Sequence, residues 1–87
     1  MSDLESFQFK IDSIVSLYSQ GLVNDALELA QKLIKKYPDK AILFNICGVC
    51  YRSLNKLNLA LECFNKAIEL KPDYIEVNFN LGVTLQE

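Results

Sequence analysis

The feature that most constrains this chain is a repeat of fixed length. Gly48 and Gly82 stand 34 positions apart, and so do Pro38 and Pro72, Ala26 and Ala60, and Tyr37 and Lys71. The surrounding residues keep the same register, because VNDALELAQKLIKKYPD lines up with LNLALECFNKAIELKPD. A period of this size belongs to stacked arrays, in which one supersecondary unit recurs and each copy buries its apolar side on its neighbours. The stretch CFNKAIELKPDYIEVNFNLG therefore reads as the seam between two copies, with Pro72 closing one and Gly82 lying inside the next.

Each unit divides into two helices. Ser2 and Glu5 form an S-x-x-E capping box, which predicts a first helix from Asp3. Its apolar face runs Leu4, Phe7, Ile11, Ile14, Val15, Leu17 and Tyr18 in three- and four-residue steps. Gly21 supplies the left-handed conformation that ends it. Asn24 is the expected N-cap of a second helix, with Ala26, Leu27, Leu29, Ala30, Leu33 and Ile34 inward, Lys35 and Lys36 at its negative end and Pro38 as its stop. In the next unit Asp39 is the expected cap of a helix through Ile42, Phe44, Ile46, Cys47, Val49, Cys50 and Tyr51. Asn55 replaces glycine at the turn, being the next-best residue for positive φ. Asn58 then caps a helix carrying Ala60, Leu61, Phe64, Ala67, Ile68 and Leu70. Asp73 caps a fifth, with Ile75, Val77, Phe79, Leu81, Val83 and Leu85. No β-alternation of useful length occurs, so the chain is expected to be all-α. The small residues Ala26, Ala60, Gly48 and Gly82 fall where helices must cross closely, since axes 8–10 Å apart leave no room for longer side chains.

Composition narrows the function. At 87 residues, with 51 % hydrophobic and 23 % charged residues, the chain is globular in composition and fits one small domain. A net charge of −2 gives no general attraction to phosphate backbones, so nucleic acid is not an expected partner. No apolar run approaches the roughly 20 residues of a membrane span, and MSDLESFQFK lacks the basic-then-apolar order of a signal peptide. Three cysteines, an odd number without a secretory signal, point to reduced thiols and a cytoplasmic location. The absence of histidine removes imidazole bases, catalytic triads and His-ligated metals. Cys47-x-x-Cys50 has the spacing of half a zinc site or a redox pair, yet both thiols fall inside an expected helix and only Cys63 offers a third. They read as packed core thiols, and carboxylates such as Glu62, Glu69, Asp73 and Glu76 as solvated faces and helix starts. No catalytic residue, metal ligand or cofactor is expected, and no enzyme activity from this chain.

The segment from Ala41 to Tyr74 resembles a tetratricopeptide repeat, with Phe44, Gly48, Tyr51, Ala60, Phe64, Ala67 and Pro72 in that family's order and spacing. Residues 75–87 are similar to the first helix of another copy, with Asn80-Leu81-Gly82 matching well. Residues 7–40 resemble a degenerate copy, in which Ala26 and Pro38 fit but Ile14 stands where glycine is usual and Ala30 where an aromatic is usual. The resemblance implies one domain over 1–87, an α-solenoid of antiparallel helix pairs in a right-handed superhelix. It would comprise five helices and about two and a half repeats (7–40, 41–74 and a partial 75–87). It further implies a concave groove lined by the first helix of each pair, holding a peptide or a partner protein. Carried over position by position, the groove residues are Ile11, Val15 and Tyr18, then Ile42, Asn45, Val49 and Arg52, then Phe79, Asn80 and Val83. That set suits an apolar peptide or an amphipathic helix, with Asn45 and Asn80 available to hold backbone amides. Equally open is a groove covered by flanking helices or by a second copy.

Repeats of this family that clamp a partner's C-terminal carboxylates carry Lys, Asn, Asn, Lys and Arg at set positions. Here those positions hold Ile11, Val15, Ile46, Glu76 and Asn80, which excludes a two-carboxylate clamp. A different class of function is also open: such arrays precede catalytic domains, for instance glycosyltransferases or sulfotransferases, and present the protein substrate. A plain structural spacer is a third. The last copy reaches only about thirteen residues, Ile75 to Glu87, which leads to the expectation of a fragment of a longer protein that self-associates through its C-terminal helix, with Leu81 and Leu85 partly wet.

Overall fold

The computed structural model describes residues 2–87; Met1, the first residue of the expected 1–87 domain, lies outside the described residues. Five helices follow one another: α1 (Asp3–Ser19), α2 (Val23–Lys36), α3 (Ala41–Ser53), α4 (Leu57–Leu70) and α5 (Ile75–Leu85). No strand occurs among the described residues. Each helix packs on the next, and α3 also touches α5, giving an all-α solenoid measuring 41 × 29 × 19 Å.

The turns explain why the period is so strict. Gly21 (φ 84°) and Asn55 (φ 60°) both adopt the left-handed conformation. After each, the next amide reaches five residues back: Leu22 N–H donates to the Leu17 carbonyl at 2.9 Å, and Lys56 N–H to that of Tyr51 at 2.8 Å. This is the Schellman closure, which reverses the chain within three residues. At the other seam, Tyr37 N–H donates to Leu33 and Lys71 N–H to Ala67, just before Pro38 and Pro72 end propagation.

Ser2 caps α1 as expected, its hydroxyl accepting from Glu5 N–H at 3.2 Å and donating to Glu5 Oε1 at 3.0 Å. The other four caps differ from expectation. Asn24 and Asn58 lie inside α2 and α4, whose caps are Leu22 and Lys56, while Asp39 and Asp73 precede the caps Lys40 and Tyr74. None of these four caps uses a side chain. At α2 and α4 the Schellman turn sets the start. The residue after the left-handed position is already aimed along the new axis, so its own carbonyl opens the helix. Leu22 thus accepts from Ala26, and Lys56 from Ala60, both at 3.0 Å.

The core has two adjoining parts. Ile11 and Ile14 of α1, Ala26, Leu27, Ala30 and Leu33 of α2, and Leu43, Cys47 and Cys50 of α3 form the first. Ala60, Phe64 and Ala67 of α4 with Val77 of α5 form the second. Leu43, absent from the expected inward set, is fully buried because α3 is covered by α2, α4 and α5 together. Leu4, expected inward, is 77 % exposed, since the cover over α1 begins at Phe7, whose ring meets Tyr37 edge-on at 5.0 Å. The expected apolar set on α5 also divides. A helix turns about 100° per residue, so Val77, Asn80 and Thr84 share the buried side while Ile75, Phe79 and Leu85 face outward. Leu81 is half-buried and Leu85 exposed.

One contact sets the spacing of α3 and α4. A methyl group added at Gly48 would press into the Phe64 ring, 2.7 Å from Cδ1 and 2.8 Å from Cζ, and Phe64 is fully buried. The register-equivalent Gly82 has nothing within 4 Å of that point. The two glycines should therefore respond oppositely. Gly48→Ala should destabilise by about 1–3 kcal/mol from overpacking, less about 1 kcal/mol of helix propensity. Gly82→Ala should gain up to about 1 kcal/mol. Urea unfolding of both variants measures this, and equal effects at both sites would contradict it.

Candidate functional site

The expected groove would lie along one side of α1, α3 and α5. Val15, Val49 and Val83 recur at 34-residue steps and occupy the same position on the three helices; Val15 is 50 % exposed and the other two are half-buried. Between α1 and α3 lies a pocket of about 150 Å³, lined by Ile14, Val15 and Tyr18, by Asn45, Ile46 and Val49, and by Glu76 at the start of α5. The Tyr18 hydroxyl meets the Ser53 hydroxyl at 2.7 Å, which ties the C-terminal ends of α1 and α3 together below the pocket.

A polar seam joins α3 to α5. The Asn80 amide donates to Asn45 Oδ1 at 3.0 Å, and the Asn45 amide reaches Glu76 Oε1 at 3.4 Å. Arg52 Nη1 donates to the Asn80 carbonyl at 3.3 Å and stands 3.5 Å from Thr84 Oγ1, which itself donates to the same carbonyl at 2.7 Å. The Arg52 guanidinium also lies 6.0 Å from the Phe64 ring centre. Every buried side-chain polar atom among the described residues has a partner. A buried amide left unpaired costs about 1–3 kcal/mol, so each asparagine holds the other in place.

The ten expected groove residues therefore take different places. Val15, Tyr18, Asn45 and Val49 meet at one pocket. Val83 continues the valine line, and Arg52 lies on the seam. Ile11 is buried in the core, and Asn45 and Asn80 bond each other. Ile42 borders a separate hollow with Lys71 and Tyr74, and Phe79 is 70 % exposed. Ile14, Ile46 and Glu76 complete the pocket lining and were absent from the expected set. Ile46 was traceable, because Ile42, Ile46 and Val49 fall at i, i+4 and i+7.

The cysteines sit away from the groove, behind α3. Cys47 and Cys50 are buried and Cys63 of α4 is half-buried. Burial pushes the Cys47 thiol up to about 12, with Cys63 and Cys50 adding to it, and the Cys50 thiol up to about 11. Cys63 rises to about 11 through burial and the neighbouring Glu62 carboxylate. Protonated thiols are weak nucleophiles and weak metal ligands. Among the described residues no three His, Cys, Asp or Glu side chains gather so as to hold a metal ion.

Two sequence models of one family match the chain. One, described as "TPR repeat", matches residues 48–87, and another, "Tetratricopeptide repeat", matches residues 14–40. The chain is 29 % identical over 70 residues to the peroxisomal targeting signal receptor of Candida albicans, a stretch covering 80 % of this chain and 12 % of that protein. It is 22 % identical over 67 residues to the protein of the same name from Candida glabrata, covering 77 % of this chain and 11 % of that one. The matched stretch thus spans about a tenth of these curated relatives' length. No helix among the described residues is long and apolar enough to cross a membrane.

The raised thiols carry a pH signature. In the unfolded chain they ionise from about 9, while in the folded chain they stay protonated to about 11–12. Their contribution to stability is complete below pH 9 and is lost as pH rises toward the folded values. The thermal midpoint should fall between pH 9 and 11, and fall less steeply in Cys47→Ala. A midpoint independent of pH over that range would refute burial of the thiols.

Proposed function

The chain belongs to the tetratricopeptide-repeat family, and on that premise we propose that it binds a polypeptide along the side of α1, α3 and α5 that carries Val15, Val49 and Val83. The reading is of a binding module without chemistry of its own. What carries it is the valine line together with the pocket beside it: an apolar strip that the fold leaves open on its inner helices while burying Ile14, Leu43 and Phe64 completely. Directly packed helix axes lie about 8–10 Å apart, and the inner helices touch each other less than they touch α2 and α4, so a ligand crossing them needs apolar residues about 10 Å or more apart. An extended peptide supplies one at every third residue, and a helix at every seventh. The relatives named as peroxisomal targeting signal receptors support a role in holding a segment of another protein. The buried Asn45–Asn80 pair serves here to fix the angle between α3 and α5, and so the curvature of the strip.

Fluorescence anisotropy with a labelled amphipathic helical peptide bearing leucines at i, i+7 and i+14 tests the proposal. Val49→Asp places a charge at the centre of the strip and should weaken binding at least tenfold, since an ionised carboxylate desolvated against apolar groups is strongly disfavoured. Leu59→Asp, on the exposed side of α4, should leave affinity unchanged. Loss of binding in both variants, or in neither, would contradict the assignment of the groove.

A further inference from the structure

Glu76 is the one charged side chain lining the pocket between α1 and α3; the rest of the wall is Ile14, Val15, Tyr18, Ile46 and Val49, with the Asn45 amide beside the carboxylate. Glu76 is exposed, and its polar contact within the protein is the 3.4 Å approach of that amide. No Lys or Arg of the described residues stands within ion-pair distance of it; the recorded pair is Lys32–Glu28, on α2. Arg52, the cation of α3, is turned to the Asn80 carbonyl and Thr84. The helices that carry the pocket have the same sign of net charge. The three inner helices carry Asp3, Glu5, Asp12 and Glu76 against Lys10 and Arg52, so the net charge of −2 resides on them, and α2 and α4 together balance.

We infer that the groove selects a polypeptide segment in which an aliphatic side chain stands next to a basic residue. The aliphatic group fills the α1/α3 pocket and the cation pairs with Glu76. This rests on the groove reading above and adds the chemistry of the ligand to it. A pocket of about 150 Å³ matches one branched aliphatic side chain or a small ring, since a cavity of about that volume holds benzene. The cation then lies at the rim, half in water, where its charge acts on selectivity and on the rate of encounter more than on total affinity.

The test compares two synthetic amphipathic peptides with identical leucine anchors, one carrying arginine beside the central leucine and its twin carrying glutamine there. Their affinities for the full 87-residue chain and for Glu76→Gln and Glu76→Lys are read by anisotropy at low and high salt. On the unaltered chain the arginine peptide should bind about two- to fivefold more tightly than its twin, the range of a rim ion pair. That preference should vanish in Glu76→Gln, invert in Glu76→Lys, and shrink at high salt. Glu76 is exposed, so both variants are expected to keep the helical circular dichroism of the parent. Equal binding of the two peptides to the unaltered chain would overturn this inference and leave the groove intact. Binding of neither peptide would remove the groove itself.

Discussion

The packing of the Phe64 ring onto the bare backbone of Gly48 is the contact on which the other distances depend. It brings α4 against α3 without an intervening side chain, with Ala60 and Ala67 one turn away on either side of the ring, all three fully buried. Because α3 is also covered by α2 and α5, fixing its distance to α4 fixes the middle of the array. The N-terminal pair solves the same problem with different volumes. Ile14 takes the place of the glycine and Ala30 that of the ring, so bulk moves from one helix to the other while the seam stays filled. Interiors packed to crystal-like density accept such an exchange when total volume is conserved.

The proposed binding strip follows from that geometry. Residues spaced by one whole repeat stand in equivalent positions, so any side chain repeated at that interval is written as a line across the inner helices. Val15, Val49 and Val83 make such a line, and the buried asparagine pair keeps α5 in the orientation that extends it. A polar pair in this place is costly to leave half-made and therefore specifies one arrangement of the two helices. The cysteines occupy the opposite side of α3, as small buried groups whose thiols are held protonated.

Much of this architecture was legible in the sequence because the period is carried by residues with irreplaceable backbone or volume roles. Gly21 and Asn55 mark the left-handed turns, Pro38 and Pro72 the stops, and Ala60, Phe64 and Gly48 the closest crossing. The helix starts were less legible. Asn24 and Asn58 are good caps in isolation, but the left-handed turn before each helix starts it two residues earlier, while after Pro38 and Pro72 the caps fall one residue past Asp39 and Asp73. On α5 the apolar residues alternate, so composition alone named Ile75, Phe79 and Leu85 as inward; the helical angle places Asn80 and Thr84 there instead. The site was legible by register but not by exposure. Register named Ile11, Asn45 and Asn80, while burial and mutual hydrogen bonding engage them inside the fold. Register also placed Ile46 and Glu76 at partner-contacting positions, but they served there only to reject a carboxylate clamp, and Glu76 otherwise read as a partner of the helix dipole.

The measurement that bears most directly on the account uses the chain's five valines. With valine methyl groups isotopically labelled, a titration with the amphipathic peptide should shift the resonances of Val15, Val49 and Val83 together, with one dissociation constant. Val23 at the start of α2 and the fully buried Val77 should stay in place. Shifts centred on Val23, or spread evenly over all five, would contradict a binding surface formed by the inner helices.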